Sequence, residues 1–288
     1  MPSRGLGDVY KRQTATQAQT GTSSGLSGAL ADGQVLVWRN LKRITRIPEL
    51  AIFAVLQSIM FVLLFAFVFG GAIPVGDGGA EVYRNYLMPG IFVQTLGFAA
   101  ITTAVGMNDD MNKGLIDRFR SLPMARSAVV GGRVVADVIY NALILVVLML
   151  SGLAVGWRMN GTAFEFLAGV LLLGAFTFAM TWIGVWLGMK APTVEVVQQM
   201  GFITIFPMSF ISNVFVPLES LPDWLQPIAE WNPFSAVTQS VRELFGNPVA
   251  STGSWPSENP YLLSAIWIVV IVAVFAPLGV RSYNRTSR

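Results

Sequence analysis

The residue types that carry most covalent and metal chemistry are missing from this 288-residue chain, which has no histidine and no cysteine. Zinc sites of the common kinds, Ser-His or Cys-His nucleophiles and disulfides are thereby excluded. No GxxxxGK[ST] stretch occurs either, so the chain lacks the backbone cradle that usually holds nucleotide phosphates. What remains is electrostatic and mechanical chemistry, and it is densest from Gly114 to Arg126, GLIDRFRSLPMAR, a short charged stretch between two long apolar runs. A soluble face set between two apolar runs points to a membrane protein driven by something outside the membrane.

The local pattern gives that stretch a shape. Asn108 or Asp109 is suited to cap a helix N-terminus, and the pair Asp109 and Asp110 suits its positive dipole end. Met111, Leu115, Phe119 and Leu122 follow at steps of four, four and three and share one face, while Asp117, Arg118 and Arg120 project elsewhere. Pro123 removes a backbone donor and ends the helix. The spacing thus predicts a short amphipathic helix at the membrane surface within a loop over 108–126.

The elements that must position this loop follow from composition. The chain is 53% apolar and 12% charged, against about 25% charged in soluble domains. Six segments are long enough to span, at roughly 20 residues each: about 50–73, 85–107, 134–157, 164–189, 196–216 and 261–280. In lipid each must be helical, because an unpaired backbone amide there costs several kcal/mol. The predicted fold class is an all-α membrane protein with a six-helix domain over 31–288. Sixteen of nineteen Lys and Arg fall on one side if both termini are cytoplasmic, leaving Arg84, Arg158 and Arg242 outside with half of the sixteen acids. The modest basic excess is then a matter of topology, and nucleic acid is not an expected partner.

Flanking segments add three expectations. Residues 1–30 read as a disordered tail, polar and without periodicity, with no apolar signal region. Its leading PSRGLGDVYKRQ looks like translated sequencing adapter, so 1–13 are set aside as non-native. From Gln34 to Pro48, Val37, Trp38, Leu41, Ile44 and Ile47 alternate with Arg39, Lys42, Arg43 and Arg46, the pattern of a helix lying in the membrane interface. It serves either as an elbow beside the loop or as a topological anchor. After the fifth run, Asn232 and Pro233 make a cap and first-turn pair, and Phe234, Val237, Val241, Leu244 and Phe245 line one face. Short re-entrant helices in the outer leaflet are expected there. Trp224 and Trp231 are either an outer gate or part of an aromatic belt.

Two blocks, the loop with the following GGRVVAD (Gly131 to Asp137) and Ser212 to Gly246, resemble type-2 ATP-binding-cassette exporter permeases of the daunorubicin-resistance type. The resemblance covers roughly 34–285 and is compositional within the spans. It implies that Gly114, Asp117, Arg118, Arg120, Pro123 and Arg126 couple the chain to a separate ATPase, which binds ATP and Mg; no cofactor is expected in this chain itself. It further implies a homodimer docked on two ATPase copies in the bacterial plasma membrane, exporting a lipophilic drug or lipid-like molecule. The acidic run NDDMN before Gly114 departs mildly from the family and bears on which ATPase the loop prefers.

Two other classes stay open. An ion-coupled carrier needs a carboxylate within the spans; the best candidate, Asp137, lies near the cytoplasmic end, four residues after Arg133 and able to pair with it. A non-transporting membrane scaffold is the other. Among the mid-span polar residues, Gln57, Gln94 and Gln198 are the pathway candidates; helix packing is the alternative use of all of them. The lack of charge at the span centres favours a largely apolar cargo.

Overall fold

The computed structural model describes residues 56–57, 59–69, 79–114, 126–249 and 252–285. The expected tail, the interfacial helix over 34–48, both ends of the first span, and Leu115, Asp117, Arg118, Phe119, Arg120, Leu122 and Pro123 of the loop lie outside the described residues.

Among the described residues the chain is helical with no strand. A π-helical stretch, Leu64–Phe69, precedes α1 (Gly79–Gly97) and α2 (Ala99–Asn112). Then come α3 (Arg126–Val155), α4 (Ala163–Lys190) and α5 (Val194–Phe210). A 3₁₀ turn at Leu218–Ser220 leads to the short α6 (Gln226–Glu230), α7 (Pro233–Leu244), α8 (Trp255–Glu258) and the long α9 (Pro260–Arg285). Among the described residues four helical stretches are long and apolar enough to cross a membrane: Glu81–Asn112, Val130–Val155, Ala163–Lys190 and Pro260–Tyr283. They contain the second, third, fourth and sixth expected runs, with ends shifted by a few residues.

The helix starts obey local chemistry. Thr162 and Glu165 form a capping box on α4, the Thr162 hydroxyl accepting from the Glu165 amide at 3.3 Å while the Glu165 carboxylate accepts from the Thr162 amide at 2.6 Å. Thr193 caps α5, and Asn232 caps α7 with Pro233 in the first turn, as the sequence predicts.

Two expectations are corrected. Asn108 and Asp109 do not open a helix: α2 runs through both to Asn112, Lys113 caps it, and Gly114 follows at φ +64°. The left-handed glycine after Lys113 is a helix stop, and it outweighs the acidic pair as a signal. The fifth run, expected over 196–216, is helical only to Phe210. At 1.5 Å per residue its 17 residues reach about 26 Å, short of the ~30 Å hydrocarbon core. Beyond it the chain is irregular, and the Ile211 amide bonds back to Pro207 O at 2.7 Å.

α4 is the centre of the bundle, packed against α2, α3, α7 and α9. Its closest neighbour is α2. A Cβ added at Gly184 would fall on the Ala100 carbonyl oxygen, and one at Gly188 on that of Ala104. This is the small-residue, four-step spacing that lets two membrane helices touch backbone to backbone, where packing replaces the hydrophobic drive. Towards the end opposite the charged loop, Phe92, Phe176, Phe234, Val237, Val241 and Phe245 are fully buried. The outward faces of α3 and α9 carry exposed Leu143, Val146 and Leu150, and Val269, Val270 and Val274.

Candidate functional site

Polar side chains gather at the two ends of the bundle. At the end bearing the charged loop, the last turns of α2 meet the start of α3 and the end of α4. Arg133 of α3 donates from Nη1 to Asp110 of α2 at 2.8 Å and from Nε to Asp137 of its own helix at 3.0 Å. All three side chains are nearly buried, at 12%, 12% and 19% exposure. Asn108 donates through Nδ2 to the carbonyls of Gly188 at 3.0 Å and Ala191 at 2.7 Å, closing the C-terminus of α4. Two acids near the end of α2 oppose its dipole. Each has a cation: Asp110 has Arg133, and Asp109 has Lys113 at 2.8 Å.

Gly114 is thus a helix terminator at the exit into the loop, and Arg126 is the first residue of α3 at its return. The expected Arg133–Asp137 pair is present; the Asp110 contact was not legible because it joins residues 23 apart. The signal that α2 ends at Lys113–Gly114 was in the sequence all along, as a basic residue followed by glycine.

The opposite end is built on one buried cation. Arg242 of α7 is fully buried. Its Nε donates to Tyr86 O at 2.8 Å, its Nη2 to Asn213 O and Val214 O at 2.8 and 3.1 Å, and its guanidinium lies 3.5 Å from the Tyr86 ring centroid. Among the described residues its partners are neutral, and Nη1 has none. Tyr86 and Tyr83 donate to Asn213 O and Phe215 O at 3.0 and 3.4 Å. Gly90 admits the Val214 carbonyl, which any side chain would strike. Asn232 adds bonds from Nδ2 to Met208 O and Ile211 O at 2.7 and 2.6 Å, so one side chain caps α7 and closes α5. Together these residues satisfy carbonyls of a buried non-helical segment, as buried backbone requires. Sequence reasoning counted Arg242 only as an outer cation, since nothing in its neighbours forecasts burial without a carboxylate.

The pathway candidates separate. Gln94 is buried, at 6% exposure, while Gln57 and Gln198 are exposed. Ser151, Thr177, Thr181 and Asn141 donate to carbonyls three or four residues back on their own helices. Gln198 and Gln199 share the open side of α5 with Phe202 and Ile203, 50% and 70% exposed. From Phe202 an aromatic column runs through Phe206, Phe210 and Phe215 to Phe65, with successive ring centroids 4.6, 4.4, 4.9 and 4.3 Å apart. Trp231, 52% exposed, stacks on Trp255 at 5.7 Å, and its carbonyl accepts from Trp267 Nε1 at 2.8 Å. Trp224 is 72% exposed.

Apolar helices of spanning length, a polar hub at one end and a short buried helix at the other define an integral membrane protein of the helical-bundle class. The model of the family described as ABC-2 type transporter matches residues 32–245, and the chain belongs to that family, as a membrane permease. It is 33% identical over 248 residues to the daunorubicin resistance ABC transporter permease protein DrrB1 of Streptomyces coeruleorubidus, covering 86% of this chain and 84% of the relative. It is 26% identical to the probable doxorubicin resistance ABC transporter permease protein DrrC of Mycobacterium tuberculosis, covering 81% of each. It is also 25% identical to the putative transport permease ycf38 of Cyanophora paradoxa, over 74% of this chain and 73% of the relative.

Proposed function

We propose that this permease is the transmembrane subunit of an ATP-driven exporter of lipophilic small molecules, drug-like or lipid-like, in a bacterial plasma membrane. The observation that carries the reading is the one-third identity, along nearly the whole chain, to a daunorubicin resistance permease. Each subunit crosses the membrane six times with both termini cytoplasmic, and two copies pair. A separate ATPase, also in two copies, binds ATP and Mg and supplies the energy.

The coupling surface in this reading is the loop with Gly114, Asp117, Arg118, Arg120, Pro123 and Arg126. Closure of the ATPases around ATP displaces it, and α2 and α3 carry the displacement into the membrane. The cargo path runs along the open side of α5, between protomers. Two adjacent glutamines facing lipid would each lose hydrogen bonds at a cost of several kcal/mol. The exposure of Gln198 and Gln199 therefore supports a second copy or a hydrated path beside them. Gln57, exposed, and Gln94, buried, are the further path candidates in this reading. Trp224 and Trp231 are candidate outer-gate residues. Asp137, the acid an ion-coupled carrier would use, is instead engaged with Arg133.

The test is reconstitution with the cassette ATPase sought beside its gene. The expected result is a stable complex whose vanadate-sensitive ATP hydrolysis changes when the permease is present. Arg118→Glu combined with Arg120→Glu should leave membrane insertion intact and abolish both export and stimulated hydrolysis. Normal export by that double variant would sink the coupling assignment, and failure of every candidate ATPase to bind would favour an ion-coupled carrier or a scaffold.

A further inference from the structure

We infer that Arg133 is a positioning residue that locks the two stems of the charged loop into one rigid unit, so that displacement of the loop tilts α2 and α3 together instead of scissoring them apart. The inference rests on the coupling role proposed for the loop. Its grounds are geometric. α2 ends at Asn112 and α3 begins at Arg126, so the chain leaves one stem and re-enters the other within fourteen residues. Asp110 lies in the last turn of the outgoing stem and Arg133 two turns into the returning one, and their bond is 2.8 Å. Asp137 holds the same guanidinium from behind at 3.0 Å, which fixes the side chain before it reaches across.

The path of the arginine is built into α2 as well. A Cβ at Gly106 would fall on Arg133 Nη2, so the guanidinium lies against the α2 backbone itself. Met107, Val130 and Val134 are buried beside it, and low local dielectric strengthens a satisfied ionic network. Asn108, two residues before Asp110, ties the same turn to the end of α4 at 2.7 and 3.0 Å. Three helices are thus joined one turn below the loop. A planar fork serving two carboxylates on two helices is a task for arginine that a lysine point charge does poorly.

The experiment uses the full permease in complex with its ATPase. The chain has no cysteine, so spin labels can be placed at Lys113→Cys and Ser127→Cys, one on each stem, without further substitution. In the otherwise unaltered protein the distance between labels should be single and narrow, and unchanged between the nucleotide-free and vanadate-trapped states. Asp110→Asn, which removes the charge from the α2 side and spares the Arg133–Asp137 pair, should broaden that distribution. It should also reduce ATPase stimulation by about tenfold, the upper range for coupling residues remote from ligands, with the ATPase still bound. Arg133→Lys should do the same, and Asp110→Arg with Arg133→Asp should restore part of the stimulation.

A label distance that changes on vanadate trapping in the unaltered stems would overturn the rigid-unit inference. So would wild-type stimulation in both single variants, or loss of folded protein in both, which would make the network merely structural. Failure of the coupling reading is separable, because it appears as normal export by the Arg118→Glu, Arg120→Glu variant with the stem distance still narrow.

Discussion

The two ends of the bundle solve opposite problems with the same residue type. At the loop end, Arg133 is shared between two carboxylates, Asp110 and Asp137, and joins helices that already satisfy their own backbones. At the far end, Arg242 bonds to carbonyls of Tyr86, Asn213 and Val214, and its partners among the described residues are neutral. The first arrangement ties two helices to each other through side chains and makes one body of them. The second ties backbone carbonyls of α1 and of the irregular segment after α5 to one buried side chain of α7. In the function proposed above, the loop end moves as one unit while the far end holds its shape, and substitutions should separate the two.

The largest effect on stability is expected at the rigid end. Arg242→Ala removes a fully buried side chain and its donors to three carbonyls. Asn213 O keeps the Tyr86 hydroxyl, so Val214 O is the group most exposed to the loss. Cavity and orphaned acceptor together should destabilise by about 3–5 kcal/mol. Thermal unfolding of detergent-extracted protein, followed by fluorescence size exclusion, is the measurement. Arg242→Lys should fall between, since one ammonium cannot reach all three oxygens. An unfolding temperature unmoved by Arg242→Ala would remove the distinction between the two ends.

A smaller effect is expected where α2 meets α4, between the ends. Gly188→Leu places a side chain against the Ala104 backbone and should cost about 1–3 kcal/mol through forced separation of the helices. Because Asn108 of α2 bonds the carbonyl of Gly188 itself, the same change should loosen the loop-end network and lower ATPase stimulation more than Arg242→Lys does. Equal stimulation in the two variants would mean that the loop end does not depend on how closely these helices pack.

How much of this was legible in the chain follows from the range of each interaction. The capping box at Thr162 and Glu165, the Asn232–Pro233 helix start and the buried face Phe234, Val237, Val241 and Phe245 are local and were readable. The Arg133–Asp137 pair, four residues apart, was also readable, whereas the bond to Asp110 required knowing that α2 and α3 return side by side. Asn108 and Asp109 were misread because short polar residues and acids favour helix starts. Gly114, which decides the end of α2, contributes no side chain and was read as part of the loop. Arg242 was the least legible, since its partners are carbonyls 28, 29 and 156 residues away and carbonyls leave no mark on a sequence. The fifth run misled by composition: apolar residues continue to Val216, but the helix stops three residues after Pro207.

The smallest expected effect sharpens the comparison within the far end itself. Trp224 is 72% exposed and Trp231 is 52% exposed and stacked on Trp255. Removing an exposed ring should change stability by no more than about 0.5 kcal/mol, so Trp224→Ala should unfold at nearly the unaltered temperature. Trp231→Ala loses a stacked pair and should cost about 0.5–1.5 kcal/mol. If the two rings are interfacial anchors, brominated lipids labelled near the headgroup should quench both, and transport should survive either substitution. If they form an outer gate, Trp224→Ala should impair export while leaving unfolding unchanged. Since Arg242 holds the backbone of Asn213 and Val214 in either case, a transport defect confined to Trp224→Ala would place the moving part of the far end in its exposed rim and leave the buried core as the fixed support.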